Sequence, residues 1–309
     1  MRIGIIIPGH DAAPWIADAI GSVIAQSYTD WSLSIVDDGS TDTTATIARR
    51  FLSDGRVMLI RQGRSGVSAA RNRGIATRAD ADALLFLDAD DWLAPDALAR
   101  FAFALRAASA AVAVCGPARF VAEHARPGAR AGRVLRCQRG DLLSRLLVRN
   151  LFANGGHVLV RAEAVREVGG FRSDLAYGED WEFFTRIATQ GKFARVRGRD
   201  PVLFVRRRPN GVYQRKATDP ASFAPCMEAI FASKALLARF GASRLAAIRT
   251  RTEAENAWVI GRALLAHGRP EGRAWLRRSL AAKPSLGRLV ATAVERAVRV
   301  QTDMRRKGS

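Results

Sequence analysis

Short apolar runs alternate with helical patterns through the first hundred residues, and this alternation limits the possible folds more than any other feature. Four runs have the length and apolar character of buried strands: Ile3–Ile7, Trp31–Val36, Val57–Ile60 and Ala83–Leu87. The segments between them have helical spacing: residues 14–27, a segment ending at Phe51, and Val67–Ala76. The alternation predicts an α/β fold with a mostly parallel sheet that is flanked by helices on both faces.

The later parts of the chain have different patterns. Residues 111–216 continue the mixture of strands and helices, with a helix over Glu179–Gln190 and a final strand pair between Arg195 and Val205. From Asn210 onward only helical patterns remain, over residues 222–240, 243–267, 271–282 and 285–304. We therefore predict two halves of one α/β domain, residues 1–110 and 111–216, followed by a helical C-terminal region over residues 217–309.

The chain carries a formal charge of +20, and this charge is unevenly distributed. Residues 1–110 contain 11 Arg and Lys against 13 Asp and Glu, whereas residues 111–309 contain 38 against 16. Such an excess indicates an anionic partner, or else a solvated arginine-rich surface. We expect no nucleic acid partner, because aromatic residues make up only 7% of the chain and no nucleic-acid-binding motif occurs.

The three cysteines and the N-terminal residues indicate where the chain works. Cys115, Cys137 and Cys226 are odd in number and widely spaced, which argues against a disulfide scaffold or zinc site and suits a reducing compartment. The apolar run after Met1-Arg2 is too short for a signal peptide, and no run approaches the roughly 18 apolar residues of a membrane span. We therefore expect a cytoplasmic location.

Acidic clusters follow two of the predicted strands. Asp37-Asp38 comes after the second strand, and Asp88-Ala89-Asp90-Asp91 comes after the fourth. The carboxyl edge of an open α/β sheet is where ligands bind, although a lone aspartate there often only caps the next helix. Three carboxylates within four residues repel each other unless a cation neutralises them, and oxygen ligands favour Mg²⁺ or Mn²⁺. The second cluster therefore predicts a divalent metal site.

A third acidic cluster, Gly178-Glu179-Asp180-Trp181-Glu182, opens the helix predicted over Glu179–Gln190. Acids at a helix N-terminus are stabilised by the helix dipole, so a simple capping role is one interpretation. A carboxylate beside Trp181 in a pocket is the other, because such a group could accept a proton from an incoming hydroxyl. Both interpretations stay open on the sequence.

Five motifs, in the same order along the chain, resemble those of the family-2 glycosyltransferases. They are Ile6-Ile7-Pro8 with Asp11, Ser22–Tyr28, Val36–Asp42, Gly66–Ile75 and Phe86–Trp92. Two further segments, Val168–Phe171 and Gly178–Trp181, are similar to the acceptor-side motifs of that family. The resemblance covers about residues 3–210 and implies a GT-A-type fold and inverting transfer from a nucleotide-sugar donor, with UDP-sugars favoured.

The resemblance also implies roles for particular residues. Residues 1–110 would form the nucleotide-sugar-binding half, and residues 111–216 the acceptor-binding half. The residues implied in donor binding are Pro8, Asp11, Asp38, Arg71 and Asp88. Asp90 and Asp91 would bind the metal ion, Mg²⁺ or Mn²⁺. Asp180 falls at the position of the catalytic base, with Glu179 and Trp181 on the acceptor side.

Together these observations predict a metal-dependent glycosyltransferase with a glycan or lipid-linked acceptor, acting in cell-surface polysaccharide synthesis. The alternative is a catalytically silent relative that binds nucleotide-sugar or acts as a scaffold; a nucleic-acid-binding protein is a weaker alternative. Residues 234–309 hold 17 Arg and Lys against 5 Asp and Glu, and Leu286, Leu289, Val290 and Ala293 fall at helical spacing. This pattern is typical of a basic helix on the anionic inner face of a membrane, and equally of helix–helix packing.

Overall fold

The computed structural model describes residues 1–208, 211, 216, 218–285 and 288. Its contacts divide the chain into two compact units. The first unit comprises residues 1–146, 150–209 and 225–230, and the second comprises residues 147–149, 210–224 and 231–309. Both predicted halves of the α/β domain thus contribute to the first unit.

Eleven strands occur in the described part of the first unit. They are β1 (Ile3–Gly9), β2 (Trp31–Asp38), β3 (Val57–Gln62), β4 (Ala83–Phe86), β5 (Trp92–Leu93), β6 (Ala111–Cys115), β7 (Ala118–Ala122), β8 (Val134–Leu135), β9 (Val158–Arg161), β10 (Lys192–Arg195) and β11 (Leu203–Arg207). Seven of them form one sheet in the order β10-β6-β9-β4-β1-β2-β3. The other four form a small sheet in the order β5-β11-β7-β8.

The large sheet is mixed. Strands β4, β1, β2 and β3 are parallel neighbours, as the alternation predicts. Strand β9 lies antiparallel between β4 and β6, so a strand from the second half completes the sheet of the first half. The expected pairing of the last two strands was wrong, because β10 pairs with β6 whereas β11 pairs with β7 in the small sheet.

The helices of the first unit cover both faces of this sheet. They are α1 (Ile16–Ile24), α2 (Thr44–Arg49), α3 (Val67–Ala76), α4 (Ala97–Ala107), α5 (Leu143–Leu146), α6 (Ala162–Val168), α7 (Glu179–Gln190) and α8 (Ala224–Phe231). Ile5 and Ile7 of β1 share a buried cluster with Ile16 of α1. Ile6 points to the opposite face, where it lies against Gly74 of α3. The predicted α/β architecture is therefore confirmed.

The second unit is helical where it is described. It contains α9 (Lys234–Phe240), α10 (Ala242–Ala266) and α11 (Gly272–Ala282). The single helix predicted over residues 222–240 is interrupted between α8 and α9, where the Ser233 hydroxyl accepts a hydrogen bond from the Leu236 N–H at 3.4 Å and caps α9. The helix predicted over residues 285–304 and most of the predicted boundary near residue 216 lie outside the described residues.

Among the described residues, no helix taken singly has the length and apolar character needed to cross a membrane. One bent pair, residues 220–231 with residues 234–240, meets that requirement jointly, with 66° between its two parts.

Candidate functional site

Loops from three neighbouring strands meet at the carboxyl edge of the large sheet. Strands β4, β1 and β2 are parallel neighbours, so the loops that follow them leave from the same side. Asp11 and Asp88 lie in these loops, and Asp38 is the last residue of β2. Pro8 lies just before this edge, buried in β1 opposite Val36 of β2. The sheet therefore brings the first two acidic clusters together.

Asp11 ties the loop after β1 to the loop after β2. Its Oδ1 accepts a hydrogen bond from the Thr41 N–H at 2.8 Å, and its own N–H donates to the Ser40 hydroxyl at 3.0 Å. The backbone of Asp11 has a φ of 46°, the only positive value among the described non-glycine residues. The hydrogen bond from the Thr41 backbone is the main reason that the pKa of the Asp11 carboxyl is lowered. Asp11 is thus a charged, fixed group at the mouth of the site.

Asp38 holds the loop that precedes α3. Its Oδ1 accepts from the Ser65 N–H at 2.8 Å and from the Gln62 side chain at 2.7 Å, while its Oδ2 accepts from the Gly66 N–H at 2.8 Å. The side chain is buried. These contacts give Asp38 a loop-positioning role, and its predicted approach to a nucleotide base stays a prediction.

The position after Asp37 and Asp38 requires a glycine, which is Gly39. Its φ is +70°, and a Cβ at this position would lie 2.8 Å from the backbone nitrogen of Arg64. Any other residue would therefore suffer backbone strain and a clash with the loop that Asp38 holds. Gly39 therefore allows these two loops to approach closely.

The second acidic cluster forms a compact group of carboxylates. One ligand oxygen from each of Asp88, Asp90 and Asp91 lies within 4.8 Å of the others. Asp91 differs from its neighbours because it is buried and hydrogen-bonded through both oxygens, to the Arg206 N–H at 2.9 Å and the Asn154 side chain at 2.5 Å. Burial, followed by the charges of Asp90 and Asp88, holds the pKa of Asp91 well above its usual range.

Arginines balance this negative charge. Arg71 of α3 donates to Asp88 Oδ1 at 2.9 Å, and Arg208 pairs with Asp90 Oδ2 at 2.7 Å. Arg206 donates to the Asp90 carbonyl oxygen at 2.6 Å and lies with its guanidinium carbon 4.4 Å from the centre of the Trp92 ring. Arg206 and Arg208 therefore contact the acidic cluster itself, whereas the Arg207 guanidinium lies over the Phe120 ring.

The donor set fits a divalent cation through Asp88 and Asp90. Both are only partly buried, and their oxygens belong to the group that lies within 4.8 Å. Oxygen ligands in this number suit Mg²⁺ or Mn²⁺. The predicted ligand Asp91 is the least suited of the three, because both its oxygens already accept hydrogen bonds inside the protein.

The third acidic cluster opens α7, and its members have different environments. Glu179 accepts a hydrogen bond from Arg71 at 2.9 Å, so one guanidinium joins Glu179 to Asp88. Asp180 accepts from the Asn150 side chain at 3.2 Å and from the Trp181 N–H at 2.6 Å. Burial and the adjacent charge of Glu179 raise the pKa of Asp180 to about 7. A carboxyl group with that pKa can hold or release a proton near neutral pH.

The position of Trp181 in the structure differs from the position that the sequence predicts. It was expected on the acceptor side, but its ring is buried and its indole N–H donates to the Leu146 carbonyl oxygen at 2.6 Å. The side chain thus anchors α7 to the segment that ends α5, and it offers no surface to an acceptor in this structure. The spacing explains this, because Phe184 and Ala188 of α7 are buried with it.

The motifs of the two halves are joined directly. Asn72 of α3 donates to the Phe171 carbonyl oxygen at 2.7 Å and accepts from the Phe171 N–H at 2.8 Å. Gly170 has a φ of +77°, and a Cβ there would lie 2.6 Å from the Asn72 side-chain oxygen. The Phe171 ring stacks on Phe183 of α7 at 4.0 Å. The Asn72 and Phe171 motifs therefore fix α7, and with it Asp180, relative to α3.

Sequence reasoning missed two asparagines of this site. Asn150 contacts Asp180, and Asn154 contacts Asp91. The only sequence signal near them is the Asn154-Gly155-Gly156 turn, and such a turn is usually read as an ordinary loop. His157 lies close to Asn154 in the chain and has the contacts of a structural residue. It is fully buried, it makes hydrogen bonds with Gly116 and Ala153, and burial lowers its pKa to about 4.

Comparison with known sequences identifies relatives of this arrangement. The family model for glycosyl transferase family 2 matches residues 4–169. Glycosyltransferase GlyA of Streptococcus pneumoniae is 33% identical over 96 residues, which are 31% of this chain and 14% of GlyA. The putative teichuronic acid biosynthesis glycosyltransferase TuaG of Bacillus subtilis is 36% identical over 91 residues, 29% of this chain and 36% of TuaG. The alignments thus span well under half the length of these relatives.

Solved structures share the fold. The mannosyltransferase PcManGT of Pyrobaculum calidifontis, in complex with GDP-Man and Mn²⁺, has a TM-score of 0.60 at 20% identity, over 97% of this chain and 80% of that one. TarS residues 1–349 of Staphylococcus aureus, in complex with UDP-GlcNAc, has a TM-score of 0.57 at 14% identity, over 91% of this chain and 89% of that one. The GT-A-like fold, the converging acidic loops and a family match over more than half of the sequence show that this chain belongs to glycosyl transferase family 2.

Proposed function

We propose that the chain transfers a sugar, with inversion, from a nucleotide-sugar to a hydroxyl group of a glycan or lipid-linked acceptor. Asp180 acts as the general base that accepts the proton of this hydroxyl. The acceptor oxygen attacks the anomeric carbon from the side opposite the nucleotide, and the nucleoside diphosphate leaves. Because this is a single displacement, the configuration at the anomeric carbon inverts.

One observation carries the proposal, namely the bridge that Arg71 forms between the two ends of the site. Its buried guanidinium contacts Asp88 in the acidic cluster and Glu179 next to Asp180, both at 2.9 Å. Burial opposes the charged form, but the carboxylates of Asp88, Glu179 and Asp180 raise the pKa of Arg71 above its ordinary value. A permanent cation thus holds the donor-side acids and the base in a fixed relation.

The donor class is supported by the fold and by the cluster of Asp88 and Asp90. Structural neighbours were solved with UDP, UDP-GlcNAc and GDP-Man, so nucleotide-sugars are the donors to test, with UDP-sugars first. A bound Mg²⁺ or Mn²⁺ held by Asp88 and Asp90 would offset the negative charge that develops on the departing diphosphate. Arg71 and Arg208 add positive charge around the same position.

The acceptor and the cellular setting are proposed from the relatives and from charge. One relative is described as acting in teichuronic acid biosynthesis, which supports a role in cell-surface polysaccharide synthesis. The excess of basic residues over residues 234–309 suits an anionic surface. We therefore place the enzyme in the cytoplasm, peripherally bound to the inner face of the membrane.

A hydrolysis screen tests the proposed reaction without knowledge of the acceptor. The full chain is incubated with a panel of UDP-, GDP- and dTDP-sugars, with Mn²⁺ or Mg²⁺, and release of nucleoside diphosphate is measured. We expect slow release from one donor, increased by the correct acceptor and absent in Asp180→Asn. Saturable binding of a donor with no turnover under any condition would contradict the transfer reaction and favour a binding or scaffold role.

A further inference from the structure

A cavity lined by arginines lies away from the site described above. Its volume is about 350 Å³, and it lies where β10 ends, beside the segments that precede β7 and follow β8. Its lining includes Arg136, Cys137, Arg195 and Arg199. The strands next to it are β6 and β10, whereas the acidic loops follow β4, β1 and β2. A volume of this order is sufficient for a small ligand.

The charge of this cavity is unbalanced. Within the part of the chain that the structure describes, no carboxylate forms an ion pair with Arg136, Arg195 or Arg199, and no acidic side chain lines the cavity. All three arginines are exposed to solvent. The other arginines near the sheet edge, Arg71 and Arg208, are paired with carboxylates. Three unpaired guanidinium groups around one concave surface create a local positive potential.

The charge of one of these arginines, Arg195, also acts on the Cys137 thiol. A hydrogen bond from the buried Cys115 thiol lowers the pKa of Cys137, burial opposes this, and the charges of Arg195 and Arg100 lower the pKa further. The thiolate form is therefore stabilised in a pocket that contains no other negative group. The positive field that stabilises a thiolate also attracts a bound anion.

We propose that this cavity is a second binding site, specific for a phosphate or diphosphate group. Guanidinium groups pair with phosphate oxygens through two parallel hydrogen bonds, and three arginines line this cavity of about 350 Å³. The group can belong to a free phosphorylated compound or to the diphosphate of a lipid-linked acceptor. Both sources present the same phosphate oxygens to the cavity, and a second titration distinguishes them.

Cys137 serves as a reporter of occupancy. Cys115 and Cys226 are each 1% exposed, so a small alkylating reagent distinguishes Cys137 from them. The full-length chain is treated with iodoacetamide at pH 8 in the presence of a chelator, which separates this site from metal-dependent nucleotide binding. Alkylation of Cys137 is followed by mass spectrometry while inorganic pyrophosphate is titrated at constant ionic strength. We expect saturable slowing of up to about threefold, since a half-unit rise in thiol pKa lowers the thiolate fraction by at most that factor.

Matched variants separate a specific site from a general charge effect. The double variant Arg195→Gln/Arg199→Gln should lose the saturable slowing, and Arg166→Gln, an exposed arginine of α6, should keep it. Thermal denaturation of each variant shows whether it is folded. The proposal is overturned if slowing is not saturable, if sodium chloride reproduces it, or if the folded double variant retains it.

A second titration identifies the source of the phosphate. A short-chain prenyl diphosphate, which is soluble in water, replaces pyrophosphate in the same assay. Protection at a concentration at least tenfold lower than for pyrophosphate assigns the cavity to a lipid-linked diphosphate. Equal concentrations assign it to free phosphorylated compounds.

Discussion

Individual carboxylates of the site differ sharply in what they can do, although they share a sequence pattern. Asp88 and Asp90 are partly exposed and pair with arginines through their side chains. Asp91 is buried and bonded inside the protein, and Asp180 has a pKa near neutrality. Environment rather than residue type therefore distinguishes the proposed metal ligands, the buried structural carboxylate and the proposed base.

We expect Asp180→Asn to reduce turnover by about 10²-fold or more while nucleotide-sugar affinity stays near the wild-type value. The change is nearly isosteric and removes only the ability to accept a proton. In the wild-type chain kcat/KM should rise with pH through about 7, because Asp180 must lose its proton to act as a base. The residual activity of Asp180→Asn should not show this rise of kcat/KM with pH. Steady-state kinetics from pH 5 to 9 measures both effects.

Glu179→Gln is the matched control, since Glu179 precedes Asp180 and pairs with Arg71. Glu179→Gln should keep the rise of kcat/KM with pH. This rise should shift to lower pH, because the variant lacks the Glu179 charge that raises the pKa of Asp180. If Glu179→Gln abolishes turnover and Asp180→Asn does not, the base has been assigned to the wrong carboxylate.

Asp91→Ala should lower stability rather than only metal affinity. The substitution leaves the Arg206 N–H and the Asn154 amide without acceptors in a buried region. An unsatisfied buried donor costs about 1–3 kcal/mol. Asp90→Ala, which removes a partly exposed carboxylate whose partner Arg208 is also partly exposed, should cost less. Urea denaturation of both variants makes the comparison, and equal midpoints would argue against the structural role of Asp91.

Nucleoside diphosphate affinity should depend on a divalent ion held by Asp88 and Asp90. Three carboxylates whose oxygens lie within 4.8 Å repel an incoming diphosphate unless a cation intervenes. Calorimetry of UDP binding with Mn²⁺ and with a chelator should show a loss of affinity in the chelator. Asp88→Ala should show little difference between the two conditions. Wild-type affinity that is equal in both would refute a metal role.

The secondary-structure elements pack closely enough that one helical glycine is essential and another is not. Gly74 of α3 lies against β1, and a Cβ there would be 2.4 Å from Ile6 Cγ2. Gly21 of α1 has nothing within 4 Å of the same position. Both glycines lie inside helices, so helix propensity alone predicts that alanine stabilises each by up to about 1 kcal/mol.

The structure predicts opposite signs for these two substitutions. Gly74→Ala should destabilise by about 1–3 kcal/mol, because the helix must move away from the central strand. Gly21→Ala should stabilise by about 0.5–1 kcal/mol. Thermal denaturation of the two variants tests this, and stabilisation by Gly74→Ala would show that α3 can shift at little cost.

Local patterns predicted the elements that depend on nearby residues. Strands β1 to β4 and helix α3 follow from runs of apolar residues and turn residues within a few positions. The antiparallel insertion of β9 between β4 and β6 could not be predicted, since strand order is set by contacts between residues far apart in sequence. The same holds for Ser233, whose capping interaction divides what reads as one helix.

The candidate site divides in the same way. The acidic clusters could be placed at one edge because parallel strands end together. The structural role of Asp91 could not be predicted from the sequence, because its partners Asn154 and Arg206 lie 63 and 115 residues away. Trp181 was misplaced for a similar reason, since its partner Leu146 lies 35 residues away. Sequence spacing shows which face of α7 is apolar, but not what packs on it.

The distribution of charge over the entire chain leads to a prediction about membranes. Residues 234–309 carry a net charge of +12, and each basic residue near an anionic surface contributes roughly 1 kcal/mol. The protein should therefore sediment with anionic vesicles at low salt and be released at high salt. Deletion of residues 285–309 should abolish sedimentation and leave donor binding intact. If the intact chain does not sediment with anionic vesicles at low salt, the proposal is wrong.

The position of β9 has a consequence for how the protein is made. Until residues 158–161 leave the ribosome, β4 has no neighbour on one side, and its buried residues Leu84, Leu85 and Phe86 border an open edge. At about 5–20 residues per second, that edge stays unpaired for roughly 4–15 s after β4 has been synthesised. Open apolar edges recruit other strands, so the nascent chain is exposed to edge-to-edge pairing during this interval. A fragment that ends near residue 110 would keep the edge permanently and aggregate, however complete its donor-binding motifs are.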